Sequence, residues 1–316
     1  MSTITPRATT ITTVTTSQST TTVTTPTGTK MTAVSPQAQS VAQRSFAETL
    51  FGLTTLSTPA AVAAHAKMFP GNAGARAYSE VGRGVIPWTE PTLADCVANG
   101  RAAFVSAKDL SISAWTTHWD NMPDAVTAEY CTPFHEINRP PASGVPTWAA
   151  WSGFFTQFVD AARSHKNAAR IKVGPIFSWY PAAISHNEGI PWQQVMDLVA
   201  SLQGDFAGWD EYNPSAKSLY SPSGMVQLPL ACQSTYPDVD TCITEFGVQV
   251  GTGYTEAQAQ EWFDTVMKLY TAAYFPFFLY WCSQQPGNPN WHLDGRVLQG
   301  QYAAAIQYAT AGVITA

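Results

Sequence analysis

The chain is predicted to fold as α/β, a (β/α)8 TIM barrel with an extended Thr-rich N-terminal arm, and three observations lead there. From about residue 45 onward, helical patches alternate with short apolar runs, the pattern of βα units around a parallel sheet. The 316 residues leave room for one barrel of about 250 residues and an extension. Two glutamates, Glu136 and Glu245, fall at or near the ends of strand-like runs, where such a barrel keeps its reactive groups. The expected division is a Thr/Ser-rich arm or linker over residues 1–44 and the barrel over residues 45–316.

Taken in order, the arm is built of Thr, Ser, Val and Pro with almost no charge and no aromatic residue up to about residue 40, so it has no core of its own. Its β-branched runs at 9–14 and 20–23 favour extended structure where a partner surface offers pairing. Strands are expected at 75–79, 102–106 and 130–135, then a helix over 148–164 and a strand at 171–176. A helix over 191–202 and strands at 206–210 and 241–245 follow. The helix over 256–270 carries Trp262, Val266, Leu269 and Tyr270 at helical spacing, and a last strand covers 277–281. These runs supply seven strands, and the eighth is expected between residues 109 and 128.

Charged residues and aromatic residues each make up 12% of the chain, with 11 Trp, a balance that suits a protein meeting sugars or packing into an assembly. The net charge of -6 and the lack of a basic cluster exclude a nucleic-acid partner. No apolar run is long enough to span a bilayer, so membrane insertion is not expected. The start, Met1-Ser2-Thr3-Ile4-Thr5-Pro6-Arg7, lacks the basic and apolar regions of a signal peptide. The expected location is on a virion or outside the cell by a non-Sec route, and otherwise the cytoplasm.

Five Cys stand at 96, 131, 232, 242 and 282 with no C-x-x-C pair, which argues against a zinc site. Cys131 and Cys282 read as buried thiols, and Cys232 with Cys242 is the pair that would close a loop in an oxidising compartment. His65, His118, His165, His186 and His292 show no ligand spacing and read as surface or loop residues. Neither a metal nor a cofactor is expected.

The chemistry lies in Thr132-Pro133-Phe134-His135-Glu136 and Ile243-Thr244-Glu245-Phe246-Gly247. Two carboxyls facing each other across a barrel mouth can cleave glycosidic bonds, and retaining enzymes hold them about 5–5.5 Å apart, one as acid and one as nucleophile. His135 beside Glu136, and Asn138 two positions on, can orient a carboxyl for proton donation, which makes Glu136 the acid/base. Gly247 permits a tight turn beneath Glu245 that leaves its carboxylate open to an anomeric carbon, which makes it the nucleophile. The competing reading is a pair of rim glutamates in ordinary salt bridges. Trp179 and Tyr180 end a strand and can stack on sugar faces or simply pack the rim. Lys108 and Asp109 either reach the site or form a solvated loop pair, and most of Trp115, Trp119, Trp148 and Trp151 are structural.

These strings resemble clan A glycoside hydrolases, and most closely the family 26 group of mannanases and related β-glycanases. That family's Arg-Pro-aromatic-His-Glu is similar to residues 132–136, its Gly-x-Asp-x-Tyr to Gly208-Trp209-Asp210-Glu211-Tyr212, and its Thr-Glu-x-Gly to residues 244–247. A Trp ending the last strand is matched by Trp281, and the four motifs keep their order within residues 75–290. The resemblance implies that Tyr212 bonds the nucleophile and that Trp281 floors the sugar subsite. Thr132 stands where the family usually has arginine, and Arg139-Pro140-Pro141 where a glycine and aromatics are common, so mannan specificity does not carry over.

The function expected is therefore a retaining glycoside hydrolase cleaving β-glycosidic bonds of a polysaccharide or cell-envelope glycan. Its catalytic residues are Glu136 and Glu245, with His135, Asn138, Asp210, Tyr212, Trp281 and Trp179 binding substrate. The alternative is a non-catalytic glycan-binding or structural virion protein, a phage tail or capsid component, meeting other virion proteins through residues 1–44.

Overall fold

Along residues 74–80 the side chains alternate: Ala75 and Ala77 pack into a hydrophobic cluster while Arg76, Tyr78 and Glu80 line a cavity. That period of two belongs to a strand with a helix-covered face and an inner face, and it recurs around the sheet. The structure, a computed structural model, describes residues 22–24, 30–32, 50–54, 58–68, 73–140, 144–184, 189–213, 221–248, 255–273 and 275–281. Two compact units divide the chain, residues 1–43 and 44–316. In the first, Thr22–Thr24 pairs antiparallel with Lys30–Thr32, Thr22 opposite Thr32.

Among the described residues of the second unit, nine strands form one parallel sheet: β1 (Leu50–Thr54), β2 (Gly74–Ser79), β3 (Ala102–Ala107), β4 (Glu129–Pro133), β5 (Ile171–Val173), β6 (Ile176–Ser178), β7 (Phe206–Asn213), β8 (Asp240–Val248) and β9 (Phe277–Trp281). Their hydrogen-bonded order is β5-β4-β3-β2-β1-β9-β8-β7-β6. The two ends of that order are consecutive in sequence, parted only by Gly174-Pro175. At this dipeptide the chain changes partners: Gly174 N donates to Cys131 O of β4 at 3.2 Å, and Pro175 O accepts from Gly208 N of β7 at 2.9 Å. A Cβ on residue 174 would lie 2.0 Å from Phe206 O, so glycine is required at this close approach.

The helices are α1 (Pro59–Met68), α2 (Pro91–Asn99), α3 (Ile112–Asp120), α4 (Trp148–Ser164), α5 (Trp179–Ile184), α6 (Trp192–Ser201), α7 (Pro222–Met225), α8 (Gln227–Thr235) and α9 (Glu256–Ala272). Helix α4 starts at Thr147, whose hydroxyl accepts from Ala150 N, and buries Trp151, Phe154, Phe155, Phe158, Val159 and Ala162 along one face. Each such large apolar side chain contributes roughly 1.5–3 kcal/mol by leaving water. Together with the outward faces of the strands, these residues form the main core.

A second cluster fills the other face of the sheet: Ala102 and Phe104 from β3, Ile176 from β6, Phe206 from β7, Cys242 from β8, Phe277 and Leu279 from β9, with Tyr130 of β4 against it. Phe104 and Phe277 have ring centroids 4.3 Å apart, and Tyr130 and Phe206 5.6 Å, although neither pair sits on neighbouring strands. The sheet therefore curls until distant strands touch through their inner side chains.

Several expectations are corrected. Residues 109–128 hold no strand; Ser111 caps α3, which buries Trp115, His118 and Trp119 at helical spacing, and the remaining strand is β1. His118 is not a surface residue: it is buried, stacks on Trp88 and bonds Glu129 at 2.7 Å. The sequence leaves the pairing of Cys232 with Cys242 open; here both are free thiols, Cys232 packed in the outer core and Cys242 in the inner cluster, on opposite faces of the sheet. Cys282, His186 and His292 lie outside the described residues, as do the side chains of His65 and Trp281.

Candidate active site

Glu245 reaches the inner face through an irregularity. Ile243 opposes Trp209, and both pack outward into the main core, so strict alternation would send Glu245 the same way. The register shifts between Ile243 and Glu245, and Glu245 pairs with Asp210 instead. This bulge at Thr244 turns both Thr244 and Glu245 inward. Room for Thr244 exists only because residue 208 is glycine, where a Cβ would lie 2.5 Å from Thr244 Cγ2. Gly247 is not in a turn beneath Glu245; it lies within β8 and pairs with Tyr212.

Arg76 ties this side of the site together. Its Nη1 donates to Asp210 Oδ1 at 2.8 Å and to Thr244 O at 3.4 Å and lies 3.1 Å from Glu245 Oε1, while its Nε donates to Ser106 Oγ at 3.1 Å. Thr244 Oγ1 donates to the same Asp210 Oδ1 at 2.7 Å. Burial opposes the guanidinium's charge, but Asp210 and Glu245 outweigh it and raise its proton affinity. One cation then serves two buried carboxyls. Burial pushes Asp210 up to about 6 against the pull of Arg76, with the Glu136 charge adding to the rise. Burial also holds Glu245 well above the ordinary carboxylate range, opposed by Arg76 and reinforced by Asp210 and Glu136.

Glu136 arrives by strained backbone. After β4 ends, Phe134 has φ 64° and Glu136 φ 57°, left-handed values that cost side-chain-bearing residues roughly 1–3 kcal/mol each. Hydrogen bonds hold them there: Phe134 N donates to Ala107 O of β3 and Glu136 N to Ile176 O of β6, both at 2.7 Å. Trp151 Nε1 donates to Pro133 O at 3.1 Å. Beyond the strain, Arg139 Nη1 donates to Glu136 Oε2 at 2.8 Å.

Five expected site residues, His135, Glu136, Asp210, Tyr212 and Glu245, line one cavity of about 100 Å³ together with Arg76, Tyr78 and Glu80. His135 sits edge-on to Tyr78 at 5.7 Å. Burial, aided by Arg76, Lys108 and Arg139, drives its pKa well down and keeps the imidazole neutral. Two expected sugar contacts are placed elsewhere. Asn138 is buried and spends its amide on Ser178, Nδ2 to the carbonyl and Oδ1 from the N–H, each at 2.8 Å. Trp179 is 2% exposed and belongs to the main core. Trp281 ends β9, with its ring outside the described residues. Lys108 bonds Glu80 at 2.6 Å at the rim, and Asp109 Oδ1 accepts from Ser111 N beside the start of α3.

Arg76, Tyr78 and Glu80 are the lining residues that sequence reasoning missed. Their signal is a charged residue flanked by Ala75 and Ala77 in a strand-like run, with further polar residues at spacing two. Among the described residues, no group of His, Cys, Asp or Glu is arranged to hold a metal ion, and no helix is long and apolar enough to cross a membrane.

In fold, the chain is similar to an endo-beta-1,4-mannanase double mutant from Cellulomonas fimi, with TM-score 0.58 and 16% identity over 83% of this chain and 71% of that one. It is similar to a GH128 (subgroup II) endo-beta-1,3-glucanase from Sorangium cellulosum, with TM-score 0.57 and 15% identity over 81% and 98% of the two chains. The GH26 domain of an endo-beta-mannanase/endo-beta-glucanase from Prevotella bryantii gives TM-score 0.52 and 10% identity over 82% and 88%. No protein-family model and no curated protein sequence matches the chain. These likenesses are of fold alone, and they run to solved glycoside hydrolases of more than one family.

Proposed function

We propose that the sheet closes into a (β/α)8 barrel, in which β5 and β6 are one strand of the eight broken at Gly174-Pro175, and that the protein is a retaining β-glycoside hydrolase of the clan A type, closest in its motifs to family 26. Inner side chains that touch across non-neighbouring strands support the closure, as does the Gly174-Pro175 junction between the two ends of the strand order. The observation that carries the function is the placement of Glu136, from beyond β4, and Glu245, from β8, in one cavity with Arg76 against Glu245.

In this reading Glu136 gives its proton to the glycosidic oxygen as the bond to the anomeric carbon breaks, and the Glu245 carboxylate bonds that carbon from the opposite face. Glu136 then takes a proton from water, whose oxygen displaces Glu245 and regenerates both groups. Arg76 and the Thr244 bulge hold Glu245 in place, Asp210 shares the guanidinium, and His135 and Tyr212 meet the sugar. The substrate is a polysaccharide or cell-envelope glycan, and the reaction needs no cofactor.

Hydrolysis of mannan, xylan, glucan and arabinogalactan, with proton NMR of the first-formed anomer, tests the reading. Glu136→Gln and Glu245→Gln should each lower turnover by at least about a hundredfold while circular dichroism stays unchanged. If Glu245→Gln still hydrolyses at the parent rate, the assignment is wrong. The separate unit at residues 1–43, with its antiparallel pairing, favours a second reading in which the arm seats a glycan-binding protein on a virion. Binding without hydrolysis across the panel would select it.

A further inference from the structure

Arg139 is mounted with more care than a surface ion pair needs. Its backbone N–H donates to Glu136 O at 3.0 Å, closing the turn 136–139. The Asn138 side chain, inside that turn, is bonded twice to Ser178 at the end of β6. Pro140 follows, restricting the backbone of Arg139 itself. From this mount the guanidinium makes its bond to Glu136 Oε2 at 2.8 Å, with the arginine side chain 44% exposed and the glutamate 12%. An ion pair so open to water contributes little to folding. Stability therefore does not account for it, whereas the position of one carboxyl oxygen does.

We propose that Arg139 is a positioning residue for the acid/base: by occupying Oε2 it confines the transferable proton to Glu136 Oε1 and fixes the direction in which that oxygen faces the leaving group. The inference rests on the hydrolase reading above. It extends that reading to a residue outside the acid/base string itself, in the Arg139-Pro140-Pro141 segment that follows the glutamate. In the step concerned, the Oε1–H bond breaks, the proton joins the departing oxygen, and the bond pair of the glycosidic C–O leaves with that oxygen. Oε2 keeps its guanidinium partner throughout.

A leaving group that needs no proton separates this role from a general structural one. Aryl β-glycosides of mono- and disaccharides of mannose, glucose, galactose and xylose, each as the 2,4-dinitrophenyl and the unsubstituted phenyl form, supply both kinds. Arg139→Ala should lower kcat/KM on the phenyl glycoside roughly tenfold to a hundredfold, a part of what general acid catalysis supplies, and change kcat/KM on the dinitrophenyl glycoside, which reports the bond-breaking step alone, by less than about threefold. Arg139→Lys should recover part of the phenyl rate. Equal losses on both substrates, or none on either, overturn the inference. Glu136→Ala, run beside it, keeps the two ideas apart. If that variant shows the split and Arg139→Ala does not, only the positioning role fails; if Glu136→Ala shows no split either, Glu136 is not the acid and both fail.

Discussion

Arg76 carries one positive charge and meets two buried carboxyls, so the proton balance of the site is decided between Asp210 and Glu245. A nucleophile must be ionised to attack, and the Asp210 charge beside Glu245 makes it hold its proton more tightly. Asp210→Asn removes that repulsion while the amide oxygen still accepts from Arg76 and Thr244. Glu245 then loses its proton at lower pH, so the acid limb of kcat/KM should move to lower pH. Rates measured across that limb for parent and variant check it, and a limb that stays in place or rises shows that Asp210 does not set the nucleophile's charge. At this scale the sequence exposes only part of the site. Glu136, His135, Asp210, Tyr212 and Glu245 stand in motifs, whereas Arg76 stands in none, and its partners lie 134 and 168 residues further along the chain. The Trp179 ring is legible as strand-end, but its burial depends on packing by helices that one-dimensional spacing does not place.

The elements β7 and β8 meet through the Thr244 bulge, and that contact has no tolerance at residue 208. An alanine there would bring its Cβ to 2.5 Å from Thr244 Cγ2 and 2.7 Å from Thr244 Oγ1, the hydroxyl that bonds Asp210. Gly208→Ala should destabilise the protein by roughly 1–3 kcal/mol through overpacking and should also lower turnover, because Thr244 has to shift. Urea midpoints and initial rates on one glycan measure both, and a variant equal to the parent in each would show that the strands part without cost. The bulge leaves one faint mark in the sequence, the apolar residues Ile243, Phe246 and Val248 changing from odd to even positions after 243, which a short apolar run does not separate from an ordinary buried strand. Strands β3 and β9 were legible because each carries a compact apolar run, and β2 because Ala75 and Ala77 alternate with Arg76 and Tyr78. Strand β1 was not, with Gly52 at its centre and the Thr-rich arm before it. The α3 segment was mistaken for a strand because its indoles at Trp115 and Trp119 suit either period, and only the Ser111 cap on Ala114 N decides it.

On the scale of the whole molecule, the sheet separates two populations of buried acids, those that face the cavity and those, Glu129 and Glu211, that face the helices. Glu211 lies on the outer side of β7, fully buried, and accepts a hydrogen bond from the Tyr270 hydroxyl of α9. Burial pushes its pKa up to about 8, against the Tyr270 bond, with the Asp210 charge adding to the rise. The folded protein thus keeps this proton to about pH 8, whereas the unfolded chain releases it near 4.5. Between those values the folded state binds more protons, so Glu211 contributes stability that is complete below the unfolded value and lost as pH rises through the folded one. Asp210 and Glu245, also raised, act in the same direction. Glu211→Gln keeps an oxygen for Tyr270 and carries no proton to lose. Its urea midpoint should therefore fall less than the parent's between about pH 5 and about pH 9, even though its buried amide N–H groups lower the midpoint at every pH. If the two curves run parallel over that range, Glu211 is already ionised in the folded protein, and the contact between α9 and β7 is held by a carboxylate instead of a neutral acid.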